Sequence, residues 1–306
     1  MSRYRNLLLF LVLAVVWGSA FTAIKAGLEY FPPVWFAAVR YDIAGVIMLG
    51  YAWLVTDRWR PHSSQEWAVV VIGALFMIAG YHSFLFVGEQ GTTSAAAAVI
   101  VSLSPVLTAG FARGFLPSER LSILGLIGLA LGFAGVVVLA DPSLAGLLGG
   151  DTLPELLVFS AAASFALGSV LARRFDAELP IETMEAWSML GGAMIMHAIS
   201  VGLLRESVVD IRWTSTGIAA LLYLAVVASA GGFLIYFDLL DRLGPIEINL
   251  VSYAAPVVAA ITGFLLLNET PTLATAIGFV LILSGFGLIK ADAFRDFLTR
   301  ARPVGG

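Results

Sequence analysis

Apolar residues form ten long runs between about Leu7 and Lys290, and polar residues are concentrated in the short stretches between them. A helix needs about 20 predominantly apolar residues to cross a bilayer. The runs cover roughly 7–28, 34–55, 67–88, 92–114, 122–140, 154–172, 184–204, 215–237, 247–267 and 273–290. The pattern therefore predicts an all-α integral membrane protein with ten transmembrane helices.

The last five runs repeat features of the first five about 150 residues later. Basic residues, prolines, a glutamate and glycines recur in the same order: Lys25 and Arg173, Pro32 and Pro180, Pro105 and Pro256, Glu119 and Glu269, Gly128 and Gly278, Gly135 and Gly285. An odd number of helices per half makes the second half enter the membrane the opposite way up. Inverted repeats of this kind let a central site open alternately to either side. We predict a first five-helix repeat over 7–140, a second, inverted repeat over 153–290 and a cytoplasmic tail over 291–306.

Composition narrows the class of protein. Hydrophobic residues make up 59% of the 306 residues and charged residues only 12%, whereas a soluble domain has roughly 25% charged residues. The absence of cysteine excludes disulfides, thiolate metal sites and a cysteine nucleophile. The sequence also lacks the glycine-rich phosphate-binding motif of ATPases, which argues against an ATP-driven pump. We expect the lipid bilayer and a small-molecule metabolite as partners, a monomer, no nucleic acid, and no cofactor, metal or catalytic residue.

Basic residues are distributed unevenly between the two predicted faces. The face that carries the N-terminus collects Arg3, Arg5, Arg58, Arg60, Arg113, Arg120, Arg173, Arg174, Arg242, Lys290, Arg295, Arg300 and Arg302. The other face has Lys25, Arg205 and Arg212. Since short cytoplasmic loops carry an excess of Lys and Arg, we expect a multi-pass protein of the bacterial inner (plasma) membrane with both termini in the cytoplasm.

Several short motifs, in this order and spacing, carry a family resemblance. They are Trp17-Gly18-Ser19-Ala20-Phe21 with Lys25, then Arg40, the Ser104-Pro105 step, Glu119 and the glycine-rich fifth run. Together they resemble the EamA-type branch of the drug/metabolite transporter superfamily, over nearly the whole chain and in both copies. The resemblance implies a ten-helix exporter of small metabolites, with amino acids as the expected cargo. One departure is Phe165-Ala166, which stands where the first copy has Trp17-Gly18, so the halves need not contribute equally to a site.

We expect the substrate near the midplane, between runs one, three and four and their partners six, eight and nine. The substrate-binding candidates are Trp17, Phe21, Tyr81, His82, Phe86, Ser102, Ser104, Phe165, Phe233, Ser252 and Tyr253, with Pro105 and Pro256 as hinges. A mid-membrane indole needs a hydrogen-bond partner or a wet cavity, and a proline frees a carbonyl that lipid cannot satisfy. The alternative for each candidate is plain packing between helices.

His82 is an ionisable residue within a predicted span, so it is a functional candidate by default. It either relays protons or bonds a neighbouring helix. No carboxylate close in sequence offers to receive a proton, and the second copy has Gly232-Phe233-Leu234 in place of the histidine. We therefore favour the structural role, and leave proton coupling and facilitated diffusion as alternative energy sources.

Other polar residues have mainly structural interpretations. Arg40 either anchors a substrate carboxylate or bonds within the bundle. Lys25 and Arg173 end their helices and Glu119 and Glu269 precede the last helix of each half, positions that suit the helix dipole. The glycines of runs five and ten allow close helix approach and indicate a scaffold between the halves or a subunit contact.

The first run has no carboxylate, unlike the four-helix multidrug relatives, which bind cations and protons there. A neutral, zwitterionic or aromatic metabolite therefore fits better than a cationic drug. The alternatives are a nucleotide-sugar or other metabolite exchanger of the same superfamily, which needs several basic residues facing the cavity, and, more remotely, a membrane-embedded enzyme.

Overall fold

The computed structural model describes residues 2–115, 123–140, 152–175, 177–243, 248 and 251–289. Predictions for Glu119 and for the tail 291–306 concern residues outside these ranges. In the described chain the ten predicted segments are all helices: α1 Ser2–Leu28, α2 Pro33–Val55, α3 Ser64–Glu89, α4 Ser94–Phe115, α5 Ile123–Ala140, α6 Leu153–Arg174, α7 Ile181–Leu203, α8 Ser215–Leu243, α9 Val251–Leu267 and α10 Leu273–Ile289. The all-helical membrane fold is thereby confirmed.

Seven of these helices, α1–α4 and α6–α8, are long and apolar enough to cross a membrane. The described parts of α5, α9 and α10 are shorter apolar helices. Large apolar side chains such as Leu8, Val46, Trp53 and Leu265 are exposed along the helices. This outward apolar surface suits lipid, because helices satisfy their backbone polar groups internally.

The glycines of α5 and α10 bring the two halves together. A Cβ added to Gly135 would lie 2.7 Å from the carbonyl oxygen of Gly278, and one added to Gly285 would press on the carbonyl oxygen of Gly128. Gly135 of α5 thus faces Gly278 of α10, and Gly128 of α5 faces Gly285 of α10. In the repeat, Gly128 corresponds to Gly278 and Gly135 to Gly285, so the two contacts are related by exchanging the halves. Reciprocal contacts of this kind arise across a two-fold axis. The glycine-rich helices therefore join the halves of one chain.

The first helix of each half packs against helices of the other half. α1 packs on α8 and α9, and α6 packs in the corresponding way on α3 and α4, while α2 packs on α7. The contacts of α1 in the second half thus correspond to those of α6 in the first half, and the contact between α2 and α7 joins two equivalent helices. We refer to α1, α8 and α9 as the first bundle and to α3, α4 and α6 as the second bundle.

The two proline segments differ in backbone structure. α4 is interrupted between Val101 and Ser104, so it consists of Ser94–Val101 and Ser104–Phe115. Pro105 has no N–H for the carbonyl of Val101, and the Ser104 hydroxyl donates to that carbonyl instead, at 2.7 Å. α9 runs through Pro256 without a break. The predicted hinge is therefore a real interruption in the first copy and an intact helix in the second.

Candidate functional site

Trp17 lies at the contact of α1 with α8. Its Nε1 donates to the carbonyl oxygen of Ala228 at 3.1 Å, which supplies the partner that a mid-membrane indole needs. Its ring stacks on Tyr236, with centroids 5.5 Å apart, and meets Phe233 edge-on at 5.8 Å. Gly232 is needed here, since a Cβ would lie 2.5 Å from the indole nitrogen.

His82 lies in an aromatic cluster between α3, α2 and α6. Its Nε2 is 2.8 Å from the Tyr41 hydroxyl and its Nδ1 is 2.9 Å from the carbonyl oxygen of Ile78. Because a carbonyl only accepts, Nδ1 carries a hydrogen, and Nε2 accepts from Tyr41 in the neutral ring. Tyr81 packs against His82 and against Phe165 of α6. Both histidine nitrogens are thus used in structural bonds.

The two clusters share one backbone device. α3 and α8 each contain a π-helical stretch, Gly73–Gly80 and Tyr223–Gly231. Such stretches shift the hydrogen-bond ladder and often occur at functional sites. Ile78 and Ala228, whose carbonyls accept from His82 and Trp17, occupy equivalent positions 150 residues apart. Corresponding carbonyls therefore receive a ring N–H in each half.

Arg40 and Glu185 are charged residues buried in the protein interior. Arg40 of α2 is 6% exposed, and its Nε donates to Ser229 Oγ of α8 at 2.9 Å. Its guanidinium carbon is 5.0 Å from the centroid of the Tyr41 ring. Glu185 of α7, the helix that packs on α2, is 7% exposed. Within the described chain, neither the terminal nitrogens of Arg40 nor the carboxylate of Glu185 has a hydrogen-bond partner.

The remaining candidates are more dispersed. Phe21 and Phe86 are buried in the main apolar cluster. Ser102 bonds within its own helix, to the carbonyl of Val99 at 2.6 Å. Ser252 is half-buried, and the ring of Tyr253 packs at a tilt against Phe286 of α10, with centroids 4.7 Å apart. Whether these residues line the substrate path stays a prediction.

Apart from these candidates, a polar region connects the two bundles at the end of the molecule where α1 and α3 finish. Lys25 Nζ donates to the carbonyls of Glu89, Gln90 and Thr92, at 2.7, 3.1 and 2.8 Å. Lys25 thus lies in the last turn of its own helix, as expected, but it satisfies the carbonyls at the end of α3. We call this contact the lysine latch.

Glu269 forms a second link between the bundles at the same end. Its Oε2 accepts the backbone N–H of Ser94, the first residue of α4, at 3.0 Å. The glutamate therefore occupies the positive end of α4, whereas Thr272 caps α10, accepting from the N–H of Thr275. A polar cavity of about 420 Å³ lies beside both links; Lys25, Thr93, Ala96, Glu155, Glu269 and Thr275 are among its lining residues.

Sequence reasoning missed two buried carboxylates, Glu89 and Glu185. Glu89 is completely buried at the end of α3, seven positions after His82 on the same helix face. The two residues are nonetheless two helical turns apart, a rise of about 10.5 Å, so Glu89 is not a direct proton partner of His82. The signal was present, because an acidic residue that ends an apolar span is unusual; its position beside the polar Gln90–Thr93 connection made it look like a loop residue.

Comparisons with known proteins agree with this architecture. The profile described as the EamA-like transporter family matches residues 5–140 and again 152–290. The inner membrane transporter YedA of Escherichia coli K12 is 31% identical over 277 residues, covering 88% of this chain and 86% of YedA. The transporter YvbV of Bacillus subtilis is 27% identical over 293 residues, covering 96% of this chain and 94% of YvbV.

A plant and a structural relative extend the comparison. A chloroplastic WAT1-related protein of Arabidopsis thaliana is 28% identical and covers 92% of this chain, which spans 68% of its length. A solved crystal structure superposes with a TM-score of 0.65 over 95% of this chain and 98% of the other, at 24% identity, which concerns the fold alone. The chain matches the family profile twice, along both halves, and it belongs to the EamA-like transporter family as a multi-pass membrane transporter of small molecules.

Proposed function

We propose that the protein exports amino acids across the plasma membrane by alternating access. The observation that carries the proposal is the buried guanidinium of Arg40, which lies beside the ring of Tyr41 with its terminal nitrogens unbonded in the described chain, together with the buried carboxyl of Glu185 on the adjoining helix α7. A zwitterion offers a carboxylate, which a guanidinium binds through two parallel hydrogen bonds, and an ammonium for the glutamate. The adjoining aromatic clusters provide apolar walls for a side chain.

The arrangement of the bundles supports alternating access. The first and second bundles correspond across the two-fold relation of the halves, and the lysine latch and Glu269 link them at one end of the molecule. Release of those links lets the two bundles separate there, and the symmetry provides for the reverse movement at the other end. With the termini in the cytoplasm, the linked end faces away from the cytoplasm.

The competing substrate class, nucleotide sugars, receives less support. Diphosphates are usually bound by several cations, and Arg40 is the buried cation of the described chain. A single guanidinium opposed by Glu185 suits one carboxylate accompanied by one ammonium. The two aromatic clusters likewise suit an uncharged side chain.

The proposal is tested by transport in proteoliposomes loaded with a metabolite mixture, with and without a pH gradient. Amino acids should be transported in preference to their amides, which lack the carboxylate, and to their N-acetyl derivatives, which lack the ammonium. Arg40→Gln should lower amino-acid transport by about tenfold or more, because a charge-assisted hydrogen bond contributes about 1.5–3 kcal/mol. Arg40→Gln should affect transport of the amides much less, because they lack the carboxylate. Glu185→Gln should instead affect the N-acetyl derivatives least, because they lack the ammonium.

Asp42→Asn is the matched control on the same helix, because Asp42 pairs with Nε2 of His197 at 2.7 Å rather than with the Arg40 cluster. It should leave the order of preference unchanged. Transport that ignores the carboxylate and ammonium of the substrate would overturn the amino-acid assignment.

A further inference from the structure

Glu89 is a buried carboxyl group without a partner. It is 0% exposed, and in the part of the chain that the structure describes neither Oε1 nor Oε2 has a hydrogen-bond donor. An ionised carboxylate in such a place carries a desolvation cost of several kcal/mol. The neutral carboxylic acid avoids most of that cost. The geometry therefore calls for a protonated Glu89 in this conformation.

The nearest cation is fully engaged elsewhere. A lysine ammonium has three hydrogens, and Lys25 directs them to three carbonyl oxygens of the lysine latch. One of these carbonyls is the backbone carbonyl of Glu89 itself. The ammonium is thus adjacent to Glu89, yet it has no hydrogen left for the carboxylate while the latch is closed.

We propose that Glu89 is a proton-binding site of this transporter, occupied while the lysine latch is closed and vacated when the latch opens. On opening, Lys25 leaves the carbonyls of the α3–α4 connection and becomes available to the Glu89 carboxylate. The carboxyl O–H bond breaks, the proton passes to water at that end of the molecule, and an ion pair forms. Closing takes up one proton by the reverse steps, so low pH stabilises the closed latch.

The other charged groups around Glu89 fit this exchange. The charges of Arg40 on α2 and of Glu269 in the α9–α10 connection act on Glu89, Glu155 of α6 lines the neighbouring cavity, and His82 lies two turns earlier on α3. Glu155 and Glu269 line the 420 Å³ cavity together with Lys25. A polar cavity of this size holds several water molecules, and Gln90, next to Glu89 in sequence, lines it. Water can therefore reach the latch from that end.

The test measures opening of the latch without any substrate. The chain has no cysteine, so a single Cys at Ala96, buried and lining the cavity, reports access through its maleimide labelling rate in the purified full-length protein. A Cys at Val209, which is 88% exposed, provides the reference rate. Since a buried thiol ionises less readily than an exposed one, the ratio measured in Glu89→Gln provides the baseline for thiol ionisation at each pH.

The ratio should rise severalfold as the pH is raised and Glu89 loses its proton. In Glu89→Gln, which keeps the neutral shape, the ratio should stay low at every pH. In Lys25→Gln it should be high at every pH, because the latch is absent. Glu89→Asp keeps a titratable group and should keep the pH dependence with a shifted midpoint.

A parent protein whose ratio does not change with pH, or a Glu89→Gln variant with the parent's pH dependence, overturns the proposal. If Glu89→Gln does not fold, the comparison of Glu89→Asp with the parent decides, since an unshifted midpoint contradicts the assignment. The inference rests on the proposed alternating access of the two bundles. Because no amino acid is present in the labelling test, its result is independent of the substrate assignment.

Discussion

The two copies of the repeat place different chemistry on the same backbone. In the first copy the carbonyl of Ile78 accepts from His82, and the other nitrogen of that ring meets Tyr41. In the second copy the equivalent carbonyl of Ala228 accepts from Trp17. The first arrangement is built from titratable groups and the second has only an indole N–H, which does not titrate.

This difference indicates which properties the duplication preserves. The π-helical stretches, the exchanged packing of α1 and α6, and the glycine contacts of α5 with α10 occur in both halves. The buried carboxyl of Glu89 differs from the acidic residue at the corresponding end of α8, because the side chain of Asp238 is 40% exposed and pairs with Arg242. The scaffold is therefore repeated in both halves, whereas the buried carboxyl that we propose as the proton site lies in the first half.

The largest effect is expected from breaking the symmetric scaffold. Gly135→Val and Gly285→Val each force side-chain atoms against a backbone carbonyl of the facing helix, and overpacking costs about 1–3 kcal/mol even where side chains can yield. Both should reduce the yield of monodisperse protein in detergent severalfold, and to a similar extent. Size-exclusion chromatography of a fluorescent fusion measures this yield.

Gly287→Val is the control, since no atom lies within 4 Å of a Cβ added there on the same helix. It should leave the yield unchanged. A chain that tolerates Gly135→Val and loses its fold with Gly285→Val would show that the two glycine contacts are not equivalent.

The sequence predicted the symmetric part of the molecule well. Ten apolar runs became ten helices, and the spacing of Gly128, Gly135, Gly278 and Gly285 indicated the scaffold that joins the halves. These features depend on hydrophobicity and residue size, which are local properties of the sequence. Hydropathy therefore suffices to find them.

The polar contacts could not be predicted, because they join residues far apart in the chain. Lys25 satisfies the carbonyls at the end of α3, Glu269 accepts from the N–H of Ser94, and Arg40 reaches Ser229. Local rules place a cation or a glutamate at a helix end without saying which helix it serves. The unpartnered state of Glu89 likewise depends on the three carbonyls that occupy Lys25.

His82→Gln should have an intermediate effect, on stability rather than on pH dependence. The substitution removes a ring whose two nitrogens are both bonded, so the melting temperature should fall by several degrees, as expected for a loss of about 1–3 kcal/mol. The pH profile of transport between about pH 5.5 and 7.5 should keep its shape, in contrast to that of Glu89→Gln.

Tyr41→Phe removes the same hydrogen bond from the other side and is the matched comparison. The double variant should lower the melting temperature by less than the sum of the two single variants, because both single variants remove the same hydrogen bond. A flattened pH profile in His82→Gln, with a normal profile in Glu89→Gln, would move the proton site from Glu89 to His82.

The smallest effect tests the hydrogen bonds by which a neighbouring helix reaches a carbonyl of each π-helical stretch. Ser164 Oγ of α6 donates to the carbonyl of Phe76 in the stretch of α3 at 2.7 Å, as Trp17 donates to Ala228 in the stretch of α8. Ser164→Ala and Trp17→Phe each delete one donor and retain most of the side-chain volume. Each should lower the melting temperature by about 2–4 °C, because a net hydrogen bond contributes about 1 kcal/mol.

Ser160→Ala on α6 is the control. The Ser160 hydroxyl bonds only within its own helix, to Leu156, so the melting temperature of this variant should not change. If Trp17→Phe also lowers amino-acid transport while Ser164→Ala does not, the indole has a role in the substrate path beyond its bond to α8, and the asymmetry of the halves extends from proton binding to the cargo.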